Sequence, residues 1–244
     1  MKKLVLFFTA VLLVTFLSSC KEDSTTSPDP EQGTGFPLAA GNWWKYDTYE
    51  VDVNGNPLGD LKTTYTTTLG SKITLDGREA YEMMSSDDEE GDEKSYISAD
   101  DNGVYTYNSP EVDDNGNVTP GLWVKIVDFK NSSWDIASEP INEEEEGYKQ
   151  TGTITLKGVR QGTTNVTYKG KSYSATTYLN IITTDLTTEI LVDEEWEVDK
   201  TMRSDTTNYV FIGGIGFYSS VDFNLFGILG SSREKDILID HKVK

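Results

Sequence analysis

The chain has 244 residues, 36% of them hydrophobic, with 21 lysines and arginines against 41 aspartates and glutamates and a net charge of −20. Such a surface repels phosphate backbones and anionic head groups, which excludes nucleic-acid binding and a basic membrane-binding patch. One cysteine leaves no intrachain disulfide, and one cysteine with one histidine is too few for a Cys/His zinc site.

Residues 1–19 read as a secretory signal: Met1-Lys2-Lys3, an apolar run from Leu4 to Leu17, then Ser18 and Ser19. The run holds 14 residues, short of the roughly 20 that a spanning helix needs. Its ending, Leu17-Ser18-Ser19-Cys20, resembles the lipobox of bacterial lipoproteins. That resemblance implies cleavage before Cys20, a diacylglycerol on its thiol and three acyl chains in all. The membrane is then reached through lipid on Cys20 rather than through the protein surface. Without the signal and its two lysines, 225 residues remain with a charge of −22. Residues 20–35 continue as a tether. From Lys21 to Gly35 there is no aliphatic or aromatic side chain, so burial cannot offset the entropy of ordering them. Lys21-Glu22-Asp23 resembles the acidic export signal of Bacteroidetes-type surface lipoproteins, and reads equally well as plain linker.

Residues 36–244 are expected to form one antiparallel β domain. Gly41-Asn42 turns the chain, and Trp44, Tyr46 and Thr48 then alternate with Lys45 and Asp47 as a first strand. Asn54-Gly55 suits the positive φ of a tight hairpin. Leu61–Ile73 returns as a second strand, and Asp76-Gly77 turns it into a third at Glu79–Met84. Ser95–Ser98 and Val104–Tyr107 flank Asp101-Asn102-Gly103, and Leu122–Phe129 is a largely apolar strand. Thr153–Val159 and Asn165–Tyr168 follow, with Lys169-Gly170-Lys171 turning into Ser172–Thr184. Glu189–Arg203 reads as a strand pair or one long bent strand. Asn208–Ser220 and Ile237–Val243 close the chain. Glycines between Tyr209 and Tyr218 mark a bulge, a bend or a close approach. The charge-dense segments Ser85–Glu93, Val112–Pro120 and Glu139–Gly147 are expected as loops. The fold class is all-β: a strongly curved antiparallel sheet, as a half-barrel, open barrel or sandwich.

His241 sits at spacing two from Ile237, Ile239 and Val243, where a hydrogen-bonded core histidine is the ordinary explanation. Nothing singles out a pair of carboxylates for glycoside hydrolysis. No catalytic residue and no enzymatic activity are therefore expected. Asp52-Val53-Asn54-Gly55-Asn56 and Asp113-Asp114-Asn115-Gly116-Asn117 both show Asp-x-Asn-x-Asn, an echo of the first half of an EF-hand loop. Asp52, Asn54, Asp113 and Asn115 are thus the candidate metal ligands. Pro57 and Val118 stand where that loop needs glycine, and Thr63 and Val124 where it needs glutamate. Hairpin turns are the simpler reading. The acidic runs leave weak, millimolar calcium binding open beside a solubilising role; no other cofactor is expected.

The aromatics Trp43, Trp44, Tyr46, Trp123, Trp134 and Trp196 are the candidate ligand-binding residues, lining an apolar cavity or forming a sugar-stacking platform. Rings in a β domain more often pack inside, so Trp44, Trp123 and Trp196 are expected in the core. Trp43 and Trp44, adjacent in one strand, cannot both face inward.

The opening Phe36-Pro37-Leu38 with Gly41-Asn42, Trp44 and Tyr46, the late Gly214-Ile215-Gly216-Phe217 and the final Ile237-Leu238-Ile239-Asp240 resemble Bacteroidetes-type outer-membrane lipoproteins. The resemblance implies a half-barrel similar to those of lipoprotein carriers and lipid-binding periplasmic proteins; it transfers no catalytic residue. The expected function is a non-catalytic, lipid-anchored envelope protein, on the periplasmic or outer face of the outer membrane. Its curved sheet would bind a hydrophobic ligand or partner chain. The other reading is a surface lipoprotein that binds glycan or protein through exposed aromatics.

Overall fold

Side chains alternate across a strand, and Trp44, Tyr46 and Thr48 turn inward while Trp43, Lys45 and Asp47 stay half-buried. This is strand β1 (Trp43–Val51). The computed structural model describes residues 35–52, 54–87, 92–112, 116, 118–193, 195–222 and 233–244. The signal, Cys20, the tether up to residue 34, Asp113 and Asn115 lie outside the described residues. After β1 come β2 (Pro57–Leu75), β3 (Arg78–Asp87), β4 (Asp92–Asp100), β5 (Gly103–Asn108) and the short β6 (Glu111–Val112) and β7 (Val118–Thr119). They are followed by β8 (Leu122–Asp128), β9 (Ser133–Glu145), β10 (Tyr148–Tyr168), β11 (Lys171–Val192), β12 (Glu195–Ile212), β13 (Gly216–Asp222) and β14 (Arg233–Lys242).

Each recorded strand pairing is antiparallel. One row runs β2-β3-β4-β5-β8 and a second runs β1-β14-β13-β12-β11-β10-β9, with β6 and β7 as a separate hairpin. The rows meet where Gly41 N–H donates to Leu69 O (2.7 Å) and Leu69 N–H donates to Asn42 O (2.8 Å). The result is one nearly closed, barrel-like sheet, the all-β class expected from sequence.

Its remaining seam lies between β8 and β9. Side chains stitch it in place of a ladder: Trp134 Nε1 donates to Lys125 O (2.9 Å) and Arg160 Nη1 to Phe129 O (2.8 Å). Asn180 adds a bond to Ile126 O at 3.2 Å when its amide nitrogen faces that carbonyl. The connection itself is tied by Asp128, which is buried. Its carboxylate accepts from Lys125 Nζ (2.8 Å), the backbone of Lys130 and Asn131 (each 2.8 Å) and Asn131 Nδ2 (2.9 Å). Burial pushes the Asp128 carboxyl up, but these donors outweigh it and hold it well below the usual carboxylate range.

Two of the motifs behind the resemblance, Phe36–Tyr46 and Gly214–Phe217, form one joint at the end of the barrel. Trp44 Nε1 donates to Ile215 O (2.6 Å), Tyr46 OH to Phe217 O (2.9 Å), and Gly214 N–H to Gly35 O (2.9 Å). Phe36 fills that end, 5.2 Å from Trp44, 5.6 Å from Phe217 and 6.2 Å from Phe211 between ring centroids. The glycine run is a tight turn: Gly214 and Gly216 have φ of +75° and +121°. A Cβ on Gly216 would stand 3.0 Å from Trp44 Nε1, so close approach and backbone angle both call for glycine there.

Several strands run longer than their sequence signals. Thr153–Val159 and Asn165–Tyr168 are one 21-residue strand, β10, bulged between Arg160 and Gly162. The expected loop Glu139–Gly147 is instead the end of β9 and its turn, and parts of the other two acidic segments are strand as well. Charge did not prevent pairing, because a strand needs only one face buried: Ile141 turns in while Asn142 and Glu144 face solvent. At about 3.3 Å per residue, the 22 residues of β11 reach roughly 70 Å. The six- and seven-residue strands β5 and β8 cannot follow them. β9–β12 therefore project past the barrel, at the end opposite the Gly213–Ile215 turn. Their inner face continues the barrel interior as a second small core of Ile141, Ile154, Leu156 and Ile182, flanked by Leu186. Pro140 and the glutamates along the outermost strand β9 are residues that discourage further strand pairing.

Candidate functional site

The far end of this projection carries an apolar surface. β11 and β12 pair in continuous register from Ala175↔Ile212 to Val192↔Glu195, and Asp193 takes a positive φ of +50° in the turn. Leu191 faces Trp196, Glu189 faces Val198 and Asp185 faces Met202. Directly opposed residues share a face, so Leu191, Trp196, Val198 and Met202 line the outer one. Ile190, paired with Glu197, and Val192, paired with Glu195, lie on the inner face. All six are exposed, Trp196 by 50% and Met202 by 76%. Leu191 N–H donates to Gly147 O (2.9 Å), which ties this hairpin to the β9–β10 turn beside it. Glu144, Glu145, Glu146, Asp193, Glu195, Glu197 and Asp199 stand exposed at the same end.

Trp196 is the correction here. It was expected in the core with Trp44 and Trp123; it lies instead beyond the barrel, where none of the described strands forms a second layer over it. Trp44 (1% exposed) and Tyr46 are core, and Trp134 is buried at the seam. Trp43 is half-buried, as its inward neighbour requires. The candidate aromatics therefore do not converge on one site. Alternation alone could not signal the exposure of Trp196, because the face of β12 that carries Trp196, Val198, Lys200 and Met202 holds no acid and reads like a core face.

A second group, partly missed from sequence, covers the outer face of β3, β4, β5 and β8. Trp123, also expected in the core, is instead half-buried on this outer face, 5.1 Å from Tyr107 at an interplanar angle of 56°, and its Nε1 donates to Leu75 O (3.1 Å). Tyr96 meets Tyr107 edge-on at 6.3 Å, and the Arg78 guanidinium sits 3.5 Å above the Tyr105 ring. Tyr107 OH donates to the Asp76 carboxylate. Tilted rings joined to their own turn lock the β2–β3 connection onto the sheet.

Asp52 spends its carboxylate on its own hairpin. Oδ1 accepts from the backbone of Asn54 (2.8 Å) and Asn56 (2.9 Å), and Oδ2 from Asn56 Nδ2 (3.1 Å). These bonds, that of the Asn56 backbone first, hold its pKa below the usual value. Asn54 enters through its backbone. Among the described residues, no three His, Cys, Asp or Glu side chains gather as they would around a metal ion. His241 Nδ1 shares a hydrogen bond with Tyr168 OH (2.8 Å). Burial, then the Lys169 ammonium, brings the imidazole down to about 4 against the pull of Asp240, so it is neutral at pH 7.

No family model and no curated protein matches the chain. Among solved structures, a chain described as a lipoprotein from Parabacteroides distasonis is similar at 9% identity and a TM-score of 0.42, over 85% of this chain and 97% of that one. A chain described as an exported protein with YmcC-like fold from Bacteroides fragilis is similar at 10% identity and 0.41, over 86% and 99%. At these scores the likeness assigns neither an activity nor a ligand.

Proposed function

We propose that the protein is a non-catalytic, lipid-anchored protein of the outer membrane that docks a hydrophobic ligand or partner chain on its curved sheet. The exposed tip of β11–β12 carries this reading. Leu191, Trp196, Val198 and Met202 lie on the outer face of one projecting hairpin with Ile190 and Val192 on its inner face, and exposed apolar surface is characteristic of interaction sites. Trp196 has the large rigid area typical of an energetic anchor. The non-catalytic part of the reading rests on the single histidine, whose Nδ1 is taken up by Tyr168 OH. The anchor rests on the Leu17–Cys20 sequence.

Docking is tested by placing a photo-crosslinking residue at Trp196 in the full-length chain on cells, with the same residue at exposed Leu58 as comparison. A specific adduct from position 196 alone is expected; equal adducts from both positions would refute docking at the tip. Anchoring is tested by labelling with a palmitate analogue, which Cys20→Ala should abolish. Label that persists in that variant removes the lipobox assignment. The second reading, glycan binding through aromatics, is favoured by the half-buried Tyr107–Trp123 pair beside Arg78 and Asp76. A glycan array read with wild type and Trp123→Ala tests it, and only a signal lost in the variant supports it.

A further inference from the structure

Docking on the β11–β12 hairpin, taken from the proposal above, leaves the occupant open, and the backbone of β12 narrows it. Among the described residues, β13 is the strand beyond β12, and it pairs only from Asn208 onward. Residues 195–206 of β12 thus form an edge of the sheet. Both members of an antiparallel pair aim their backbone the same way, toward each other or apart. Leu191 N–H donates to Gly147 O, away from β12, so its partner Trp196 aims its own N–H and C=O away from β11. The same holds at every second residue after it: Val198, Lys200, Met202 and Ser204. Where that row ends, Thr206 N–H turns back to the Asp205 carboxylate (2.7 Å). The opposite edge, β9, is guarded by Pro140, which has no N–H to offer. β12 has no such guard, and Trp196, Val198 and Met202 stand exposed along one face of it.

We infer that this edge pairs with the β12 edge of a second copy of the chain, antiparallel about a two-fold axis through Lys200. Strand addition satisfies the exposed backbone row, and a two-fold axis lets one edge serve both copies. In that register Val198 meets Met202 of the second copy and Glu197 meets its Arg203, each twice by symmetry. The two Lys200 side chains meet at the axis, each with Glu189 and Asp185 diagonal to it on its own β11. Glu195 meets Asp205, whose charge Arg233 already offsets (Nη2 to Oδ1, 2.8 Å). Moving the axis by one residue sets Asp199 against itself or Glu197 against Asp205, and parts Val198 from Met202. The edge is therefore complementary to its own reverse in this register. The net charge of −22 on each mature copy opposes approach from a distance, and physiological salt screens that beyond about 8 Å.

The test is sedimentation equilibrium on the mature chain, with Cys20→Ser so that neither lipid nor a disulfide joins two copies. With β12 unaltered, a concentration-dependent dimer is expected. Glu197→Arg and Arg203→Glu should each raise the dimer dissociation constant about tenfold, since each sets like charges together at two places. The double variant should return it to within about threefold of the starting value. Lys200→Pro removes a central edge N–H while leaving the ladder to β11, and should raise the constant about 30-fold; Lys200→Ala should not raise it. Circular dichroism checks that each variant is folded. A monomer at every concentration, a dimer indifferent to Lys200→Pro, or charge effects that the double variant does not reverse would each overturn self-pairing. Docking is read separately, from the photo-crosslink at position 196. A product of twice the chain mass is expected; an adduct with another protein keeps docking and refutes the second copy, and no adduct refutes both.

Discussion

Gly158→Ala is the most searching single substitution for the closure of the barrel. Gly158 of β10 is buried opposite Trp134 of β9, and a Cβ there would fall inside the indole, onto Cε2 and Cζ2. Backbone cannot yield easily in the middle of a paired ladder, so Trp134 must swing away. It then loses the bond from Nε1 to Lys125 O, a contribution of about 1 kcal/mol. Its edge-on contact with Tyr178, at 6.3 Å and 67°, contributes about 0.5–1 kcal/mol more. Exposing an indole that is only 9% exposed adds about 2 kcal/mol. Against this, alanine is better than glycine in a strand by roughly 0.5–1 kcal/mol. The net expectation is a loss of about 3 kcal/mol, within the range for deleting a large buried side chain. Urea unfolding followed by far-ultraviolet circular dichroism measures it, with Trp134→Ala and the double variant completing a cycle. In the Trp134→Ala background, Gly158→Ala should be neutral or stabilising. An equal loss in both backgrounds, or a loss below 1 kcal/mol in the wild type, would refute the view that Trp134 packing on bare backbone seals β8 to β9.

The histidine has a signed effect on pH dependence. Its folded pKa of about 4 lies below the usual 6.5 of a histidine, so the unfolded chain takes up the proton first. Its contribution is fully present above pH 6.5 and is lost as pH falls toward 4, by about 3 kcal/mol at most. His241→Gln should flatten the stability curve across that window; an unchanged slope would show that other groups set it. For Asp128 the folded pKa is depressed, so its stabilisation is present above about pH 4 and is lost on further acidification. Asp128→Asn should cost about 2–3 kcal/mol at pH 7 by weakening four charge-assisted bonds, and much less at pH 2, as pH-dependent denaturant midpoints would reveal. Tyr46→Phe removes the hydroxyl from Phe217 O and should lower stability by about 1–2 kcal/mol, read from the urea midpoint at constant m. Trp196→Ala, by contrast, should leave the unfolding midpoint within about 0.5 kcal/mol, because its side chain is half exposed.

Strand alternation, hairpin turns and the absence of a helical stripe are local properties, and they determine an all-β antiparallel fold for this chain. Asn54-Gly55, Asp76-Gly77 and Lys169-Gly170 turn where their backbone preferences require, and Trp44 is inward because Tyr46 and Thr48 share its parity. The exclusions drawn from one histidine, one cysteine and an acidic surface are also properties of composition alone. Strand length was not local. Whether Glu139–Glu145 pairs or loops depends on β10 lying beside it and on the second core that Ile141 shares with Ile154 and Ile182. The fate of each tryptophan was likewise tertiary. Trp44, Trp134 and Trp196 all sit in alternating strands, yet only the barrel offers a second wall, and it closes over the first two. Trp196 lies where β11 and β12 have outrun the described strands that could cover them. That projection is set by the unequal lengths of paired strands, so the apolar tip exists only in the folded sheet.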